Sequence, residues 1–429
     1  MKSFIIAIVF SCMAQFAHAQ CLGAPGLNHI NPDSSPGGFV AATAYVAPEV
    51  FVSTNSQVCD LATVRGQARI LNSSIIKNSA IIASDPAPSN ILISGAVIEN
   101  QAAVREGAQV IFATVKGFAT VDGRSIVQGD LGDLSLAPVI SGTAKIQDNS
   151  EVRNRGIVSD GALLKGFAKV LNRANVSGSA MIFQSAIISD DARVYGKAQI
   201  YGAAKVKETA KVFDEAQVYD GVTVSKKAKI YGNALVSWNT NVTDNAEIYG
   251  NATVAIDYPQ NSLWGVYGNA RVFDGARVFN GVQIRGKAQI FGDAGASGSE
   301  ISGNAMVSGN AWIQNAIVRD NAIISEGAQV LAGEIFEDAQ VYGNAKIQNG
   351  APYVFGSAQV FQNAIVEGNA RLLGRSQAYG NATIRGQMHN LSQAFGNCVV
   401  EIPGQLRNDV RVFGTAVITT AVYGGNISQ

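Results

Sequence analysis

From Ile140 to Ile290 every sixth residue is aliphatic, with Gln260 the exception. The run passes through Val152, Val176, Ile182, Val194, Val212, Ile230, Ile248 and Val272, and an alanine commonly sits two residues earlier, as at Ala192, Ala210, Ala228, Ala246 and Ala270. The unit is A-x-[VI]-x-G-x, often written out as G-N-A-x-V-[YF]. A 3.6-residue helix would smear positions six apart over different faces, whereas the A-x-V alternation is the period of a strand. The sequence therefore predicts an all-β chain of very short strands with a turn in every hexad. Gly-Asn pairs such as Gly232-Asn233, Gly250-Asn251 and Gly343-Asn344 suit these corners, because both residues tolerate positive φ. A short fixed period means a solenoid in which each coil stacks only on its neighbours.

The rhythm starts near Val46, with one-residue slips near Val110, Ile313 and Val330, and defines a repeat domain over 41–385. It fails at 83–94, 128–139 and 255–265, which are expected to leave the solenoid as loops. Residues 386–429 are expected to hold a further insertion (386–400), a last coil and a C-terminal cap. Residues 20–40, with Pro25, Pro32 and Pro36, read as a linker or an N-terminal cap. Residues 1–19 read as a signal peptide: Lys2, an apolar stretch from Phe4 to Phe10, then Ala17-His18-Ala19 ahead of Gln20. Export to the periplasm, cell surface or exterior is the expectation. No later stretch is apolar and long enough for a membrane-spanning helix.

Lys and Arg number 32 and Asp and Glu 32, so nothing steers the chain toward nucleic acid or an anionic membrane. Beyond the signal peptide lie Cys21, Cys59 and Cys398. In an oxidising compartment Cys21 and Cys59 can staple the N-terminal segment onto the first coils; the alternative is that Cys59 is simply a small residue beside Val58. Cys398 is then a buried thiol or an intermolecular link.

The spacing of an aliphatic residue and a small one four positions on, as in Val194 with Ala198 or Val341 with Ala345, resembles the hexapeptide-repeat proteins. The resemblance spans nearly the whole chain after residue 40. It implies a single long left-handed parallel β-helix with three hexads to a coil, and hence about 21 coils and a rod on the order of 90 to 100 Å long. It implies no one activity, since the family holds acyltransferases, carbonic anhydrases and non-catalytic proteins. A carbonic anhydrase of this family needs a set of metal-binding histidines, and beyond the signal peptide only His29 and His389 are present; neither a metal nor a cofactor is expected. An acyltransferase acting on an envelope saccharide would need a histidine as general base, and His389 in Gly386-Gln387-Met388-His389-Asn390 is the candidate.

Three hexads per coil place equivalent residues 18 apart, and the residue after each aliphatic one points outward. One such column reads Tyr195, Phe213, Tyr231, Tyr249, Tyr267; another reads Phe183, Tyr201, Tyr219, Ser237, Ala255, Phe273, Phe291; the third runs Ser189, Lys207, Ser225, Thr243, Asn261, Phe279. Stacked aromatics on adjacent coils support one another, which is the structural reading. The functional reading is a contact stripe from Tyr195 to Tyr267, occupied by a second copy of the chain, by a protein, or by a glycan whose rings lie on it. Tyr258 and Trp264, beside it in the loop after Ile256, stand where alanine is the rule and are expected to bulge outward as further contacts. The function expected from these features is an exported, non-catalytic rod with a structural, adhesive or binding role at the bacterial cell envelope or surface.

Overall fold

The computed structural model describes residues 21, 23–84, 95–130, 137–256 and 264–429. The expected signal peptide, Tyr258 and most of the three expected loops lie outside the described residues.

The chain is a parallel β-solenoid of about 20 turns with three faces per coil. One regular coil shows the construction. Val194 pairs with Val212 on one face, Ile200 with Val218 on the next, and Val206 with Val224 on the third. The face of Ile200 is called sheet I here, that of Val206 sheet II and that of Val194 sheet III. Among the described residues sheet I has 22 strands and the others 21 each. Most strands are two residues long, too short to persist alone, so the repeat interior must stabilise them. Val194, Ile200, Val206 and Val212, with Ala192, Ala198, Ala204 and Ala210 between them, are fully buried. Each such Val or Ile contributes roughly 1.5–3 kcal/mol by leaving water, and the alanines keep the interior narrow enough to close without voids.

The corners need left-handed backbone, and the side chains there do more than permit it. Asp214 has φ 59°, and its carboxylate accepts the amide of Gly232, the equivalent corner residue one coil on, at 3.1 Å. The same bond recurs from Asp160 to Gly178, Asp244 to Gly268, Glu326 to Gly343 and Gln362 to Gly380. Corner asparagines form a second ladder, Asn344–Asn363–Asn381–Asn397, with amide bonds of 3.4, 3.2 and 2.9 Å. The corner carboxylates are thus backbone acceptors.

The N-terminal segment is a cap rather than a linker. Strands β1 (Gly26–Ile30) and β2 (Pro36–Ala41) form an antiparallel hairpin, and β2 joins sheet I in parallel. Asn31, buried, accepts the Val52 amide at 2.8 Å, and His29 Nε2 donates to the Val50 carbonyl at 2.9 Å, so side chains satisfy the edge of the first coil. Cys21 and Cys59 are bridged, with their Cα atoms 5.5 Å apart. Cys398 occupies an inward alanine position, where burial pushes its thiol up to about 11; it is a core thiol, not a link to another chain.

Two expectations need correction. Residues 386–400 are not an inserted loop: Gln387–Met388, Gln393–Ala394 and Val399–Val400 are strands in register with the coils before and after them. The coil step there is 16 residues, against 18 in the regular stretch, because the corner at Arg385–Gly386 is cut short. The second concerns the loop after Ile256, which adds one whole hexad. The six-residue rhythm survives it, but the coil step becomes 24, so every later residue moves round by one face. Val266 pairs with Val242 on sheet II and Val272 with Ile248 on sheet III.

The one-residue slips have the same physical origin. Between Ile313 and Val318 the corner is reduced to Gln314, Asn315 and Ala316, with Asn315 at φ 50°. Both aliphatic residues still point inward, so a corner absorbs the length change and the strands keep their phase.

Candidate functional site

The candidate site is the outer face of sheet III. The sequence expectation joined Tyr249 to Tyr267, but the face shift breaks that link. Tyr249 instead stacks on Phe273, and Phe273 on Phe291, giving one run Tyr195–Phe213–Tyr231–Tyr249–Phe273–Phe291. Ring centroids are 4.8 Å apart in the first pair and 5.0 Å in the last, and the planes differ by no more than 4°. Tyr267 lies on sheet II, where its hydroxyl donates to the Trp264 carbonyl at 2.9 Å. The column expected to end in Phe273 and Phe291 stacks as Phe183–Tyr201–Tyr219 on sheet I, passes Ser237 and Ala255, and continues to Phe279. The third column runs from Thr243 to Tyr267 rather than to Asn261.

Beyond Phe291 the sheet III column has Ser308 and Ser325, and then a second stack that the sequence reading missed: Tyr342–Phe361–Tyr379–Phe395–Phe413, at 5.0, 4.8, 4.9 and 5.3 Å. Coil steps of 19, 18 and 16 residues hide it from a fixed spacing of 18. The signal is local: an aromatic residue directly follows each inward one, as in Val341-Tyr342, Val360-Phe361 and Val412-Phe413.

This geometry corrects the expectation of a platform for sugar rings. Inside each stack both faces of every ring are covered by neighbours, so sheet III presents ring edges and tyrosine hydroxyls. Burial holds the Tyr195, Tyr231 and Tyr249 hydroxyls above the usual phenol range, so they stay protonated as donors at neutral pH. Beside the first stack runs a charged column in which Glu247 meets Lys229 at 2.9 Å and Arg271 at 3.5 Å. Beside the second, Gln340, Gln359, Gln377 and Gln393 form an amide ladder at 3.3, 2.8 and 2.8 Å.

Trp264 does not lie beside this stripe. The chain leaves after the sheet I strand Thr253–Ile256 and returns before the sheet II strand Gly265–Val266, at the corner opposite sheet III. Trp264 is half-buried and packs against the core instead of turning fully outward.

His389 directly follows the sheet II strand Gln387–Met388, and its amide bonds the Leu406 carbonyl of the next coil, so it does not lie in an inserted loop. Its Nε2 donates to the Gln387 side-chain oxygen at 3.2 Å, and burial with the nearby Arg407 charge lowers its pKa, which favours the neutral imidazole. Among the described residues no group of three or more His, Cys, Asp or Glu is arranged to hold a metal, and no helix is long and apolar enough to cross a membrane.

No curated protein matches the chain. A family model described as the YdcK beta solenoid repeat matches residues 301–315, which hold the two hexads around Val307 and Ile313, and this chain is similar to that repeat there.

Proposed function

We propose that this is an exported, non-catalytic β-solenoid rod with a structural, adhesive or binding role at the bacterial cell envelope or surface, related to the hexapeptide-repeat proteins and their left-handed helix. The observation that carries the reading is sheet III: two stacks of rings on one face of one continuous rod, presenting a line of edges and hydroxyls to an extended protein or glycan, or to a second copy of the chain. Export is supported by the apolar leader ending in Ala17-His18-Ala19 and by the Cys21–Cys59 bridge, which belongs to oxidising compartments.

Replacing Tyr231 and Tyr249 by Ser removes two adjacent rungs without touching the interior. Partner or self association, read by binding to whole cells or isolated envelopes and by light scattering, is expected to be lost while the circular dichroism of the rod persists. Retained association would reject sheet III as the contact face. The acyl-transfer alternative rests on His389 and predicts that His389→Ala abolishes a donor-dependent activity; its neutral imidazole suits a base, but its bonded partner is Gln387 rather than an orienting carboxylate.

A further inference from the structure

We propose that a notch at the corner between sheets I and II binds one uncharged pyranose unit. The proposal rests on the reading of the chain as a binding rod, and names a second site and its ligand class. On the same corner of the rod as Trp264, two and three coils beyond it, successive coils have shortened corners at Gly298 and Asn315. A cavity of about 360 Å³ lies there, lined by Trp264, Gln283, Ser299, Glu300 and Asn315 among others, within the range of small-molecule sites (roughly 300–1,000 Å³).

The lining has the two chemistries a pyranose needs. Trp264 brings an aromatic side chain to the lining for the C–H face of a sugar ring, and the Glu300 carboxylate and the Asn315 amide supply acceptors and donors for its hydroxyls. Ser299 is already committed: its hydroxyl donates to the Ser297 carbonyl at 2.8 Å and accepts the Ala316 amide at 3.2 Å, so it forms a rigid floor. Glu300 is bonded to the Arg285 guanidinium, which cancels its charge locally and favours a neutral sugar over a cationic or anionic one.

Saturation-transfer NMR on the full chain without its leader, with glucose, galactose and N-acetylglucosamine as probes and glucuronic acid as the charged control, tests this. Saturable binding of at least one neutral sugar is expected. Trp264→Ala should weaken it by about tenfold, the scale of one aromatic contact, and Trp264→Phe should keep most of it. Asn315→Gly removes an amide where the left-handed backbone (φ 50°) suits glycine, and should weaken binding several-fold with the melting curve unchanged. Absence of saturable binding by every neutral sugar, equal binding by the Trp264→Ala chain, or a preference for glucuronic acid would overturn the proposal. Scattering on the same samples separates the two readings: lost sugar binding in a chain of unchanged rod length counts against the notch alone, whereas loss of rod length counts against the rod.

Discussion

The central coils, from about 140 to 256, and the C-terminal coils, from about 296 to 418, solve one problem with different tolerances. In the centre the step is 18 residues throughout, the inward residues of sheet III are Val and Ile, and the outer columns carry Lys, Arg and Glu. In the C-terminal half the step varies through 17, 19 and 16, the inward positions fall to Ala378 and Ala394, and glutamines replace the charges. Both halves nevertheless stack aromatic rings at the same spacing on the same face. The difference teaches that the strands carry the fold and the corners carry the variation. Around the corner that loses two residues, the inward side chains are Met388 on sheet II and Ala378 and Ala394 on sheet III, all fully buried, where the centre has Val and Ile.

The largest effect that would break this comparison is in the interior. Ile230→Ala opens a cavity in a regular coil and should cost about 2–5 kcal/mol, whereas Ala378→Ile overfills a tightened coil at the equivalent sheet III position and should cost about 1–3 kcal/mol. Because each coil contacts only its neighbours, hydrogen exchange should speed up in the flanking coils and not at the far end. An Ala378→Ile chain as stable as the unaltered one would mean that the C-terminal coils are no narrower.

At the corners the expected effects are smaller. Gly232 has φ 70°, and an added Cβ would lie 2.9 Å from the Gly250 nitrogen; Gly368 has the same φ but open space around it. Gly232→Ala should therefore cost ~1–3 kcal/mol and Gly368→Ala less, since only the backbone strain remains. Chemical denaturation of the two variants side by side measures the difference.

Ser308 and Ser325 separate the two aromatic stacks on sheet III. Replacing them with Phe and Tyr should join the stacks and stabilise the rod by about 0.5–1.5 kcal/mol per new ring pair, visible as slower exchange in the coils around Val307 and Ile324. No gain would show that the rings are tolerated there rather than stabilising.

The smallest effect is in acid. The Lys226 ammonium and the Gly268 amide hold the Asp244 carboxyl below the usual carboxylate range. A depressed folded-state pKa contributes stability at higher pH, and that contribution is lost as pH falls through the folded value. Gln362 caps Gly380 at 2.7 Å with a group that does not titrate. Exchange should therefore accelerate below about pH 4 around Gly268 but not, from this cause, around Gly380, and Asp244→Asn should flatten the first response.

The all-β solenoid was legible in the sequence because the aliphatic and alanine positions are set by a narrow interior and repeat in every coil. The coil count was legible for the same reason. What failed was the assignment of faces, since an inserted whole hexad leaves the six-residue rhythm intact while rotating everything after it; Gln260, the one exception to the rhythm, marked the place. Tyr267 was misplaced on that account, and the Tyr342–Phe413 stack was hidden by corner deletions. Residues 386–400 looked like a loop because Met388 and Ala394 stand where Val or Ile was expected. The notch beside Trp264 had no sequence signal, since it forms where shortened corners in two successive coils meet residues far apart in the chain.

The most direct test is small-angle X-ray scattering with light scattering on the chain from Gln20 onward. About 20 coils at 4.8 Å each predict a particle of narrow cross-section about 100 Å long, either a monomer or an end-to-end polymer of it. A compact, symmetric trimer would contradict the rod and turn attention to His389.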